Sequence, residues 1–300
     1  MRYAVTWTKG FRYYNDVDEV IFEYAGSGDL NKIVNDTLKR SDQTAHILLN
    51  TAAMDAKEIE DYSDIIEKLL LIKQNFNLLV SVNFYNNNDK DFIEILKEND
   101  IPFMFHTFAK DFSTLAEMRD LGASEAYIVE DLCFALHKVK NTAKGMKIRT
   151  FPDIAQIPRG CRHQPNITSF WIRPEDTEIY EDFIDTFEIF NTTNTSVIYE
   201  IYKKQQWLGN LRELIMDLHQ DLENTSIAPM FGQMRLRCEK KCLYGGCRVC
   251  FAVQDLAAQM TEANINVIKD AKPKPSIVTE EDIENFKAEG QTELIESTAE

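Results

Sequence analysis

Positive charge is in short supply. Lys and Arg number 33 against 49 Asp and Glu, a formal net charge of −16 over 300 residues. A surface of that sign repels phosphate backbones, so broad nucleic-acid binding is not expected. Long apolar runs are missing as well. No stretch stays apolar and uncharged for the roughly eighteen residues that a helix needs to cross a bilayer, so no membrane span is expected. The start, MRYAVTWTKGF, has no cationic segment followed by an apolar run and does not read as a secretory signal. Glycine is sparse, and neither GxGxxG nor GxxxxGK[ST] follows any strand-like run. That weakens the dinucleotide and P-loop readings. The chain reads as cytoplasmic, a setting in which thiols stay reduced.

What is present is a globular composition, 44% hydrophobic and 27% charged. Strand-like runs alternate with amphipathic segments. The strand candidates are 18–26, 45–51, 78–84, 101–108, 125–130, 146–152, 169–174 and 196–202. Helices are expected over 29–40, about 56–74, about 89–99 with Asp89 as its cap, 111–121 closed by Gly122, and about 175–189. In the first of them Leu30, Ile33, Val34 and Leu38 form one apolar stripe. Regular βα alternation implies a parallel sheet. The count favours an α/β fold of TIM-like (β/α) barrel type, complete, incomplete or distorted, with an open α/β sheet as the alternative. Residues 1–203 are assigned to the barrel and 204–270 to a helical, four-cysteine, metal-binding extension. Residues 271–300 form an acidic tail marked by proline, whose composition predicts disorder.

Four of the six cysteines, Cys238, Cys242, Cys247 and Cys250, fall within RLRCEKKCLYGGCRVCF. In a reducing compartment such a cluster points to metal rather than disulfides. Four thiolates supply either a tetrahedral Zn²⁺ site or the corners of a [4Fe–4S] cluster. Gly245 and Gly246 let the loop turn between the second and third ligands. Arg235, Arg237, Lys240, Lys241 and Arg248 make this the most basic stretch of an acidic chain and offset thiolate charge. A chance cluster of reduced thiols is the plain alternative.

Two resemblances bear on the choice. CLYGGCRVCFAVQDL resembles the GGCR-containing end of the SPASM-type auxiliary cluster domain of radical SAM enzymes, which implies a [4Fe–4S] cluster on these cysteines. The core CxxxCxxC motif is not met, because Gly245 holds its third position, so radical SAM chemistry does not transfer. The repeated βα pattern, with LGASEAYIVEDLCFAL in its middle, is similar to the collagenase-like peptidase family, which includes RNA- and ubiquinone-hydroxylating iron–sulfur proteins. That resemblance implies a TIM-like barrel with cysteine-bound iron–sulfur and transfers no catalytic residue.

Barrel chemistry sits where strands end and helices begin. Those positions hold Glu23, Asn50, Asn83, His106, Glu130 and Arg173. His106 is the candidate general base, with Glu130 or Glu23 orienting it. Asn50, Asn83 and Arg173 are candidates for substrate binding. The plain reading is that such residues cap helices. Cys133 reads as core packing, Cys161 as a loop thiol beside Arg159, Arg162 and His163, and His219 as exposed. Two functions remain. One is an iron–sulfur barrel enzyme acting on a small or peptide-like substrate by redox or cluster-assisted chemistry. The other is a non-enzymatic interaction scaffold stapled by a four-cysteine zinc site.

Overall fold

Strand β1 (Arg2–Thr6) opens the chain in a computed structural model that describes residues 1–26, 28–49, 62–82, 87–156, 169–190, 194–218, 222–227 and 231–236. It is followed by β2 (Glu19–Tyr24), β3 (Thr44–Leu49), β4 (Asn77–Val82), β5 (Phe103–Phe105), β6 (Glu125–Tyr127), β7 (Lys147–Thr150) and β8 (Thr186–Ile189). Each strand pairs in parallel with the next, and β1 pairs with β8, so the sheet closes into a barrel in chain order. The closing register sets Arg2 beside Thr186 and Val5 beside Ile189. Closure leaves no unpaired edge.

The helices between the strands are α1 (Leu30–Thr37), α2 (Ser63–Lys73), α3 (Asn87–Glu98), α4 (Phe112–Asp120) and α5 (Leu136–Ala143). Asp29 caps α1 by accepting from the Lys32 N–H, and Asp111 caps α4 by accepting from the Thr114 N–H. Gly122 follows α4 with φ of 90°, the left-handed conformation that glycine adopts without strain. Asp89 falls inside α3 rather than at its cap. In α1 the stripe narrows to Leu30 and Val34, joined by Leu38 just past the helix, while Ile33 at its edge is exposed.

Two expected strands fail for one reason, the weight given to β-branched and aromatic residues, and one expected helix fails as well. Residues 195–204 form helix α6 (Thr195–Lys204), not a strand. Ile198, Tyr199, Ile201 and Tyr202 are buried at helical spacing, so packing overrides β propensity. Residues 169–174 form no strand, and only Phe170 bridges, to Gln156. The helix expected over 175–189 is instead a 3₁₀ turn, Pro174–Tyr180, followed by β8. The eight-strand count is met because β1 and β8 replace the two false strands.

The chain divides into two compact units, 1–152 with 180–190, and 153–179 with 191–300. The first holds the barrel. In the second, Trp171 stacks on Phe231 at 4.9 Å, the Tyr202 hydroxyl donates to the Ile172 carbonyl, and Glu175 accepts from the Trp207 N–H and from Asn224. Short helices α7 (Leu211–Leu214) and α8 (Phe231–Leu236) belong to this unit. Among the described residues no helix is long and apolar enough to cross a membrane.

Candidate active site

Side chains alternate across a strand, so one face of each barrel strand looks inward and the other outward. The outward faces are apolar and buried: Val20 and Phe22 on β2, Ala45 and Ile47 on β3, Leu78 and Val80 on β4, Phe103 and Phe105 on β5. The inward faces carry Arg2, Glu19, His46, Ser81, Glu125, Tyr127, Arg149 and Glu188. Bonds across the barrel, together with bonds between neighbouring strands, show that these side chains meet in the interior. Arg149 on β7 donates to Glu19 on β2 at 2.7 Å and to Glu125 on β6 at 2.7 Å. Its other terminal nitrogen lies 3.5 Å from Glu188 on β8. Arg2 closes the network at the strand N-termini by pairing with Glu19 and Glu125. The Tyr127 hydroxyl donates to Glu188, and the Arg149 guanidinium lies 5.1 Å from the centre of the Tyr127 ring.

Desolvating charge is costly unless the geometry of pairing is good. Burial alone would push the Glu19 carboxyl up, but Arg149, His46 and Arg2 overcome it and hold Glu19 well below the usual carboxylate range. Burial opposes the charge on Arg149 too, and Glu19, Tyr127, Glu125 and Glu188 outweigh it and raise its pKa well above the ordinary value. Burial pushes His46 below its ordinary value, with the bond to Glu19 only partly offsetting it. Burial, then the charge of Glu188, pushes Tyr127 well above the ordinary phenol.

Within this network Ser81 Oγ lies 2.6 Å from His46 Nε2, and His46 Nδ1 lies 2.8 Å from Glu19 Oε1. A carboxylate only accepts, which assigns the ring proton to Nδ1 and makes Ser81 the donor to Nε2. The connectivity is that of an acyl-transfer relay. Two observations argue against that chemistry. Ser81, His46 and Glu19 are each no more than 1% exposed, so no carbonyl reaches the hydroxyl. Glu19 is also engaged by two guanidiniums, which spend the negative charge an imidazolium would need. The trio is a barrel-filling layer.

The C-terminal mouth lies above this layer. Phe108, Tyr127, Phe151 and Phe190, from the ends of β5, β6, β7 and β8, form one aromatic cluster. Phe108 meets Tyr127 at 5.5 Å and Phe151 at 5.8 Å, edge to face, and Tyr127 stacks on Phe151 at 5.4 Å. Phe190 meets Phe151 at 5.3 Å. Phe108 and Phe190 are 37% and 44% exposed, so two of the rings face solvent at the end of the barrel where chemistry is expected.

The residues singled out in the sequence distribute unevenly. His106 directly follows β5, is exposed, and continues the inward phase of Met104, with its N–H bonded to the Val82 carbonyl. Glu130 opens the 3₁₀ turn after β6 with φ of 49°, so His106 and Glu130 sit at neighbouring strand ends. Glu23 shares the inward phase of Glu19 and is exposed on β2, which lies across the barrel from β6. Arg173 belongs to the second unit. It is buried, and Asp176 takes up its guanidinium through two bonds of 2.7 and 2.8 Å. Cys133 is buried, and burial pushes its thiol up to about 12, which suits packing and not reactivity.

Asn50, Asn83, Cys161, His163, His219, all four clustered cysteines and the 271–300 tail lie outside the described residues. Arg235, at the edge of the cysteine stretch, is buried with its guanidinium 5.8 Å from the centre of the Phe231 ring. Among the described residues no three His, Cys, Asp or Glu side chains are grouped to hold a metal ion. The sequence alone does not reveal the interior network or the aromatic cluster. The available signal was a period-two series of polar residues, Glu19 and Glu23, Glu125 and Tyr127, inside runs otherwise read as apolar strands.

No family model matches the chain, and no curated protein matches it. Among solved structures, a U32 peptidase is similar at 11% identity and a TM-score of 0.34, over 53% of this chain and 70% of that one.

Proposed function

We propose that the chain is a barrel enzyme that works at its C-terminal mouth on a small or peptide-like substrate with a planar or apolar group. The observation that carries this reading is the aromatic cluster contributed by four consecutive strand ends, with two rings open to solvent. Exposed rings that pack edge to face offer a ready surface for an apolar or flat ligand. The floor beneath is rigid and charged, because Tyr127 is tied to Glu188 and Glu188 lies beside Arg149. A pre-organised floor of this kind favours a fixed substrate pose. In this reading His106 moves the proton, Glu130 on the neighbouring strand end orients it, and Glu23, Asn50 and Asn83 contact the substrate. Arg173, locked to Asp176, supports the second unit instead. Cys238, Cys242, Cys247 and Cys250 would hold a [4Fe–4S] cluster, with zinc as the alternative ion. An all-thiolate donor set accommodates either, and a cluster would supply electron transfer or Lewis acidity.

The test is turnover of a peptide and small-molecule library by the anaerobically purified chain, read by mass spectrometry beside His106→Ala and Phe190→Ala. The expected result is a loss of at least ~100-fold in kcat for His106→Ala, the range of general base removal, and a raised KM for Phe190→Ala. Unchanged turnover in both variants removes the mouth as the site.

A further inference from the structure

The opposite end of the barrel also has a cavity. Its volume is about 630 Å³, within the range of small-molecule sites. It is formed where the strands begin, by Arg2, Asp18, Asn77 and Lys147, and where the preceding helices end, by Lys73, Phe76 and Asp100. In barrels this face normally serves stability. Here it is lined by both signs of charge, and the pairing is incomplete. Arg2 is committed to Glu19 and Glu125. Lys147 is different: half its side chain is exposed, and its partner Glu125 is 3.8 Å away and already holds Arg2 and Arg149. Lys73 spends its ammonium on the carbonyls of Asn99 and Asp100 at the rim. Asp42 bonds Arg40 through Oδ1 and is 74% exposed.

We infer that this cavity binds a small zwitterion, a free amino acid or a short peptide. Its carboxylate would lie against Lys147 and its ammonium against Asp42, with Asp18, one of whose oxygens accepts from the Tyr3 N–H, beside it. A lone anion meets four lining carboxylates, Asp18, Asp42, Asp100 and Glu125, and a lone cation meets Arg2, Lys73 and Lys147. A ligand with both charges meets Lys147 and Asp42 together, and a charge-assisted bond at each end adds to its affinity. Leu78, Leu79, Phe76 and Pro102 give the intervening wall apolar character.

The test uses the full chain with three probes: alanylalanine, N-acetylalanine and alanine methylamide. Binding is measured by calorimetry or by chemical-shift perturbation. Alanylalanine should bind at least tenfold more tightly than either single-charge probe. Lys147→Gln and Asp42→Asn, both at exposed side chains, should each weaken alanylalanine at least fivefold while leaving the unfolding midpoint unchanged. Free alanine in place of alanylalanine separates amino acid from peptide. The inference is overturned if alanylalanine and alanine both fail to bind at millimolar concentration, if single-charge probes bind equally well, or if both variants bind as the parent does.

Discussion

Arg149 joins three carboxylates inside the barrel and is itself fully buried. Its removal would leave Glu19 and Glu125 with Arg2 as their remaining guanidinium. Breaking a buried pair from one side costs about 3–5 kcal/mol, so Arg149→Ala should lose that much stability in urea unfolding. Adding Glu19→Gln should restore part of it, because the stranded charge is then gone. A loss under ~1 kcal/mol for Arg149→Ala would contradict the pairing, since it lies below any figure for a stranded buried charge. Ser81 gives a second residue-scale test. Ser81→Ala strands the acceptor nitrogen of His46 and should cost about 1–3 kcal/mol. Turnover per folded molecule should not change, whereas a relay nucleophile would lose nearly all of it.

At the scale of elements, caps and strand phase decide what forms. Asp111 accepts from both the N–H and the hydroxyl of Thr114 at the start of α4. Asp111→Ala should lower stability by about 1 kcal/mol, as cap removal does, and Asp111→Asn by much less. Thermal unfolding of the pair checks this. The same logic explains what could be read from the sequence. Strands β2 to β7 and helices α1 to α4 follow from apolar runs, turn residues and the alternation of periods. The barrel follows from their regular order. Strand β1 is hard to see in the sequence because RYAVT is short and begins with a charge, yet that charge is the Arg2 that pairs with Glu19. Strand β8 was hidden because TFEI carries an acid that the interior takes in through Tyr127. SVIYEIY misled through local propensity, since only packing of α6 decides its state. The strand-end positions of His106 and Glu130 are legible in the sequence. The interior network is not, because a buried charge becomes intelligible only when its partner from a distant strand is known.

At the scale of the whole molecule, charge burial predicts the dependence of stability on pH. His46 titrates below its ordinary 6.5 when folded, so the unfolded chain takes up the proton first as pH falls. Glu19 has its folded pKa depressed, so its contribution is present above the ordinary carboxylate value and is lost as pH falls further. Tyr127 and Cys133 have raised folded values, so the unfolded chain ionises first above about 9 to 10 and stability is lost there. Stability should therefore be greatest between pH ~6.5 and ~9 and decline on both sides. Urea midpoints across pH 4 to 11 check it, and a midpoint that keeps rising below pH 5 would contradict the network.

The proposed barrel enzyme with a four-cysteine iron–sulfur centre is decided by iron, sulfide and zinc analysis of the anaerobically purified full chain, with its absorption spectrum. A brown protein with about four iron and four sulfide per chain is expected. Both should fall sharply in Cys238→Ser, Cys242→Ser, Cys247→Ser and Cys250→Ser and stay unchanged in Cys133→Ser. A colourless chain with no iron, or with full occupancy in any two of the four variants, would contradict it.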